Sequence, residues 1–469
     1  MPATAHCLCA LGPNALISAF GLLRGPERTV PTPTEDWRRA TVDVVIHADG
    51  HQPDIAYCLA SLLTQDHPFR RVILIDDGGV QGDHAARIAS EFALANALEL
   101  EVIERKWSLG KAPTLKRQAR ELDGDVLFVL DADVVLESRD YIRRCVQALY
   151  EGVGVASAAG ICRPGTAGDR RRWAGSDTFL QWVAGDPYID PRLCGDRLRR
   201  LAAWLGAAFR DCAGRFQQNF LERGQMALFG GVAVACGRAT AYRRGYLKDV
   251  FDRFEPVYGD GITGQPDLFV AMALNNEGYR NARLPDVHAH APAVSLGDLP
   301  ASQCRATSAY LQSCAEFDAL IRSPLKWPRR AWRRWHARQR HGPRSGVESR
   351  RAVEAYRQPF GERLTREQGR PIGWAQAATA LEKVLVPALA LALVALGQAG
   401  AAAGLLLADA AVWIALVVAT ALRGERLAVL GKAVSSVPLR ALLMFSDLLI
   451  VVACLLRLPP VLLRLRRTA

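Results

Sequence analysis

The sequence predicts an α/β domain built on a mostly parallel sheet, followed by apolar helices long enough to span a membrane. Three observations carry this expectation. A strand–helix–strand unit falls within residues 42–75, an almost wholly apolar strand stops abruptly at two acids, and the C-terminal residues are dominated by Leu, Ala and Val.

The first strand is Val42-Asp43-Val44-Val45-Ile46 and the second is Arg71-Val72-Ile73-Leu74-Ile75. Between them Ile55, Leu59, Leu62 and Leu63 recur at helical spacing. Two strands joined through a helix run parallel, because a hairpin cannot return the chain in the same direction. A third strand is expected at Leu98–Ile103, a helix at Lys111–Leu122 and a fourth strand at Asp125–Leu130. The fourth is nearly free of polar residues, as a strand covered on both faces must be. Leu268, Val270, Ala271 and Leu274 mark the buried face of a later helix.

Beyond this domain, Val384–Gly397 and Leu405–Leu422 approach spanning length, with a Gln-Ala-Gly-Ala-Ala-Ala-Gly turn between them; the second carries Asp409. A third run, Ala441–Leu456, carries Asp447. Lys383 before the first span, and Arg423, Arg426, Lys432 and Arg440 after the second, place those flanks on the cytoplasmic side. The terminal Arg464-Leu465-Arg466-Arg467 asks for the same side, which a third full span forbids. Either the last segment is re-entrant or interfacial, or an N-terminal element changes the count.

Of 469 residues half are hydrophobic, and the net charge is +12. Much of that excess lies in Lys326–Arg351, where Trp327, Trp332 and Trp335 interleave with arginines just before the apolar segments. Tryptophan mixed with arginine suits the lipid headgroup layer, and this placement favours a membrane partner over nucleic acid. Eleven cysteines form no CxxC pair and read as reduced thiols. The first 25 residues are interrupted by Gly12-Pro13-Asn14 and lack a basic leader, which argues against a cleaved signal peptide. Four regions follow: an N-terminal segment of interfacial character at 1–39, the α/β domain at 40–310, a basic amphipathic region at 311–375 and membrane-embedded helices at 376–469.

Acids at the carboxyl ends of parallel strands face the crevice where such sheets bind ligands. Asp76-Asp77 closes the second strand, followed by Gly78-Gly79; Asp131 and Asp133 close the fourth. Two carboxylates one small residue apart can together approach a divalent cation and a diphosphate. Such an ion, Mg²⁺ or Mn²⁺, would neutralise charge on a departing nucleotide diphosphate. His288 and His290 read as a solvated strand pair rather than ligands.

In this order and spacing the chain resembles the family-2 glycosyltransferases of the GT-A fold, a Rossmann-like architecture, and in particular the membrane synthases of hyaluronan, chitin oligomers and cellulose. Ile75-Asp76-Asp77-Gly78-Gly79 looks like the nucleotide-binding segment, and Gly110-Lys111-Ala112-Pro113-Thr114-Leu115-Lys116 like the loop whose lysine contacts the donor. Asp131-Ala132-Asp133 matches the metal motif. Cys236-Gly237-Arg238 through Tyr242-Arg243-Arg244 resembles a stretch lining the acceptor end, and Asn219–Gln225 echoes the same subfamily. Asp267 falls where the base that deprotonates the acceptor sits, with Asp260 as its competitor.

The resemblance therefore implies donor contacts from Asp76, Asp77, Lys111, Asp131 and Arg305, metal ligation by Asp131 and Asp133, acceptor contacts from Tyr242 and Gln303, and catalysis by Asp267. Two departures stand out. His47-Ala48-Asp49-Gly50 replaces the usual opening on the base side, and Ser302-Gln303-Cys304-Arg305-Ala306 keeps the arginine of the processive signature but loses its tryptophan. An alanine there offers no aromatic face to a sugar. The expected activity is inverting transfer from a nucleotide sugar, a UDP-sugar first, to a growing oligosaccharide or polysaccharide at the inner (plasma) membrane, with a cytoplasmic catalytic domain. Two alternatives stay open: single-sugar transfer to a polyprenyl-phosphate lipid, and a non-catalytic membrane scaffold.

Overall fold

The computed structural model describes residues 8–25, 36–48, 54–78, 85–184, 197–234, 237–254, 265–292, 296–329, 331–332, 335–336 and 361–456. Gly79, Asp260, most of the basic stretch after Lys326 and the terminal arginines lie outside these residues.

Eight strands form one sheet: β1 Val42–Ala48, β2 Arg71–Asp76, β3 Leu100–Glu104, β4 Val126–Asp131, β5 Val135–Leu136, β6 Val155–Pro164, β7 Ala239–Arg243 and β8 Arg280–Ala291. Their order is β3-β2-β1-β4-β7-β6-β8-β5. β1 pairs in parallel with both β2 and β4, and β2 with β3. β7 runs antiparallel to β4 and to β6, and β6 is parallel to β8. The sheet is thus parallel over its first half and mixed beyond it. The four expected strands are all present; the third begins two residues later than expected because Ala97, at φ 51°, still belongs to the turn.

Fourteen helical spans named here cover the sheet and extend past it. They are α1 Pro13–Arg24, α2 Ile55–Leu63, α3 Ala85–Ala95, α4 Lys111–Glu121, α5 Tyr141–Glu151, α6 Ala167–Ala174, α7 Arg197–Gly214, α8 Arg223–Phe229, α9 Arg244–Arg253, α10 Pro266–Glu277, α11 Leu299–Glu316, α12 Gly373–Ala395, α13 Ala399–Ala419 and α14 Arg426–Leu455. Alternation along the strands divides the core. Val44, Ile46 and Phe128 point into one layer with α2, α3 and α5, whereas Val45, Ile73, Leu127 and Val129 point into the other with α4, α9 and α10.

Three helices, α12 to α14, are long and apolar enough to cross a membrane. They begin earlier or run longer than the apolar runs because polar residues are buried inside them. Lys383 lies within α12, and its ammonium is 3.0 Å from Asp447 on α14. Arg440 lies within α14, paired with Asp409 on α13. The expectation that Lys383 and Arg440 are flank charges is therefore corrected: each is a buried cation neutralised by a carboxylate on a neighbouring helix. A charge in such a bundle persists when paired, and the partners are too distant in sequence to be recognised there.

The helices are tied to the α/β domain along much of their length. Gln376 Nε2 donates to Ala233 O at 2.5 Å, Tyr310 Oη donates to Gln376 O at 2.6 Å, and Lys432 Nζ reaches Asp211 of α7 at 2.8 Å. The N-terminal segment joins them. Asn14, Ala15, Ser18 and Gly21 of α1 are buried, while Leu16, Phe20 and Leu23 face outward. A Cβ on Gly21 would meet Gly224 O at 2.2 Å, so the glycine lets α1 approach α8.

Candidate active site

In a sheet ordered β3-β2-β1-β4 the connections change direction between β1 and β4, which opens a crevice at their carboxyl ends. His47 of β1 pairs there with Asp131 of β4, and Asp76 ends β2 one strand away. The topology therefore delivers Asp76, Asp77, Asp131 and Asp133 to one edge.

Asp77 is fully buried and organises the loop before α4. Its carboxylate accepts from Arg105 Nη1 and Ser108 Oγ, each at 3.1 Å, and from the amides of Leu109 at 3.0 Å and Gly110 at 2.6 Å. Burial alone would raise its pKa. His47 across a 3.9 Å gap, the two amides and Arg105 outweigh that and hold the acid well below the usual carboxylate range. Asp77 is a brace for the loop, with its oxygens engaged within the protein, rather than an open nucleotide contact. Asp76 Oδ1 accepts from Gly78 N at 3.1 Å.

The braced loop turns at Gly110, whose φ of +85° suits glycine, and delivers Lys111 as the first residue of α4. Lys111 Nζ donates to Asp131 Oδ1 at 2.7 Å and to Gly237 O at 2.7 Å, and lies 3.3 Å from Asp267. Burial would lower the lysine's pKa, but Asp131 and Asp267 drive it above its ordinary value. Asp131 shows the reverse: burial would raise it, while Lys111 and Arg238 lower it. Asp267 occupies the first turn of α10, where a helix favours an acid, and all other residues of that helix are buried. Lys111, Asp131 and Asp267 are thus brought together from three separate elements.

Asp133 takes a different position. Its Oδ2 is 3.5 Å from Arg238 Nη1, while Oδ1 is buried with no hydrogen-bond partner. It lines a cleft with Asp54, Tyr57, Arg170, Trp173 and His290. His290 Nε2 sits 2.8 Å from Glu137 within this cleft, which corrects the reading of His288 and His290 as a solvated pair. Burial, with Arg163 nearby, lowers the pKa of His288. Tyr57, Arg170 and Trp173 carry no sequence signal, whereas Arg238 lies within the Cys236–Arg244 stretch.

Among the described residues no three His, Cys, Asp or Glu side chains converge on one point. Asp133 with its unengaged oxygen fits one protein ligand of a hard divalent ion that takes its remaining oxygens from water and a diphosphate. Asp131 is committed to Lys111 in this arrangement.

Tyr242 and Gln303 are not brought to this cleft. β7 runs antiparallel to β4, so Tyr242 pairs with Leu127 deep in the sheet and its ring lies in the core. Gln303 on α11 donates to Asp447 Oδ1 at 2.8 Å and faces the membrane helices. Arg305, on another side of α11, is exposed.

The sheet order and the carboxylate–lysine cluster at its switch point define an α/β domain of the GT-A class. Residues 43–251 match the model of Glycosyl transferase family 2. The N-acetylglucosaminyltransferase of Mesorhizobium japonicum is 23% identical over 263 residues, covering 55% of this chain and 52% of that protein. That of Sinorhizobium fredii is 24% identical over 300 residues, covering 62% and 58%. The chain spans about half the length of the curated relatives it matches. Among solved structures, the mannosyltransferase of Pyrobaculum calidifontis in complex with GDP-Man and Mn²⁺ aligns over 95% of both chains with 19% identity and a TM-score of 0.49.

Proposed function

We propose that this protein is an inverting glycosyltransferase that moves a sugar from a nucleotide-sugar donor to an acceptor at the inner membrane, its α/β domain on the cytoplasmic side. One observation carries this most directly: Lys111 Nζ links the strand-end acid Asp131 to the helix acid Asp267, 2.7 and 3.3 Å away. A cation in contact with both acids marks a point where a diphosphate and an acceptor hydroxyl would meet.

In this reading Asp267 takes the proton of the acceptor hydroxyl as its oxygen bonds to the anomeric carbon and the bond to the diphosphate breaks. Gly237 O and Asp131 hold Lys111 beside that point, where its charge offsets the negative charge of the leaving group. A divalent ion held by Asp133 would supply further charge neutralisation to the diphosphate, Asp131 joining it if Lys111 turned to the diphosphate. The relatives named as N-acetylglucosaminyltransferases favour UDP-N-acetylglucosamine as the first donor to try. Extension into an oligosaccharide and a single transfer to a lipid are both compatible with this chemistry, and Ala306 in place of an aromatic favours short products.

The test is nucleotide release and product mass from membranes carrying the protein, fed UDP- and GDP-sugars with Mn²⁺. Asp267→Asn is expected to lower turnover by about 10³-fold. Unaltered turnover in that variant would remove Asp267 from the role of base, and no transfer from any donor would favour a binding scaffold.

A further inference from the structure

A second charged cavity lies outside the acidic cleft, between β6 and the end of α7. It is open to one side and is lined by Cys162, Arg163, Arg210, Asp211, Arg215 and Gln218, among others. Four charges beside it compensate one another: Arg215 is 3.1 Å from Asp211 and 3.2 Å from Glu425, and Lys432 is 2.8 Å from Asp211. Arg163 and Arg210 remain. Among the described residues neither has a carboxylate within ion-pair distance, and the Nε of each is buried with no hydrogen-bond partner. The one side-chain bond from Arg210 is to Ser302 Oγ at 3.4 Å. Burial, with Arg238 nearby, pushes the Arg210 pKa down to about 10, the response of a guanidinium that lacks an anion.

The wall opposite β6 is a π-helix, Arg215–Glu222, a rare geometry that recurs at functional sites. It places Gln218 against Cys162, through bonds of 2.9 and 3.1 Å, and leaves Asn219 Oδ1 buried without a partner. Arg163 and Arg210 are half-buried, and Asp211, the acid that lines the same cavity, is already bonded to Arg215 and Lys432, so an added anion would complete the two guanidinium groups.

Two relationships identify the anion. Pro164 lines the cavity and the next residue, Gly165, lines the acidic cleft, so the two adjoin. Asp211, in the cavity lining, also bonds Lys432 of α14, and both helices expose apolar side chains: Leu201 and Trp204 of α7 and Leu427, Leu430 and Val434 of α14. We propose that Arg163 and Arg210 seat the phosphate of a lipid acceptor, whose hydrocarbon follows this apolar flank while its reactive end reaches the cleft. The assignment rests on the transferase reading and names its acceptor class.

The test uses the full chain in detergent and a labelled polyprenyl phosphate, with the matching polyprenol and inorganic phosphate as competitors. Polyprenyl phosphate is expected to bind saturably, and polyprenol about tenfold or more weaker, since charge-assisted bonds are lost. Arg163→Gln and Arg210→Gln should each weaken the lipid phosphate about tenfold, with Arg210→Lys retaining more, while Mn²⁺–nucleotide binding stays unchanged and reports an intact fold. Equal binding of polyprenol and polyprenyl phosphate by the unaltered protein overturns the proposal, even if both variants fail to fold. Full affinity in both Gln variants overturns it as well, and inorganic phosphate competing at the lipid's own concentration reassigns the site to a free anion. Lipid binding without sugar transfer from any donor would instead sink the transferase reading and leave the phosphate seat standing.

Discussion

Gly237 and Asp267 are in such close contact that no side chain fits between them: a Cβ at residue 237 would lie 1.6 Å from the carboxyl carbon of Asp267. The same glycine offers its carbonyl to Lys111. One residue therefore sets the position of both the acid and the lysine. Gly237→Ala must displace Asp267 or the backbone, and a shift of about 1 Å in a reacting group costs about 10²-fold in turnover. Turnover and thermal unfolding measured together should show a large loss of the first with a small change in the second.

Lys111→Met removes the cation shared by buried Asp267 and partly buried Asp131. The expected destabilisation is about 3 kcal/mol, from leaving buried charge unpaired, together with loss of donor turnover. Lys111→Arg should not restore turnover, because a planar guanidinium cannot reach Asp131, Gly237 O and Asp267 from the same point. Denaturant midpoints and nucleotide release check both statements.

Asp77→Asn should cost about 2–3 kcal/mol, since charge-assisted bonds to Arg105, Ser108 and two amides are weakened together. The sign with pH is fixed by the direction of its shift. A carboxylate whose folded pKa lies below the unfolded value of about 3.9 contributes fully above that value and loses its contribution as pH falls below it. Unfolding midpoints of the unaltered protein and Asp77→Asn should thus differ at pH 6 and converge under acid.

Chelation is expected to abolish turnover, and added Mn²⁺ or Mg²⁺ to restore it. Asp133→Ala should raise the metal concentration needed for half-maximal rate by about tenfold or more, because the carboxylate oxygen left without a partner is the protein ligand best placed to hold the ion. A metal titration of both proteins measures this.

Lys383→Met leaves Asp447 buried beside Gln303 and Thr307 without its cation. A cost of about 3–5 kcal/mol is expected, with a large part recovered in the Lys383→Met, Asp447→Leu double variant. Thermal unfolding in detergent would resolve the three proteins.

Features that repeat or cluster locally were legible in the sequence: the parallel strands, the acids at their ends, Gly110-Lys111 and the helix behind Asp267 all lie where expected. What escaped depends on contacts between distant residues. Asp77 looked like an open acid because its ring of donors, Arg105 to Gly110, folds back from another strand. The motif around Tyr242 resembles an acceptor segment, but an antiparallel β7 carries the residue down the sheet from its tip at Ala239. Lys383 and Arg440 looked like membrane flanks because Asp447 and Asp409 sit on other helices. Arg163 and Arg210, separated in sequence, give no pattern until β6 and α7 meet.

The bond from Gln376 to Ala233 and the burial of Ile372 and Ala375 among domain residues bear on how the protein can be handled. Trimming the chain before residue 373 is not expected to give an intact, water-soluble α/β domain. It would leave Ala233, Gln303 and Asp211 facing solvent or detergent in place of their helical partners. The α/β domain and the apolar helices share buried contacts and are to be purified and assayed together.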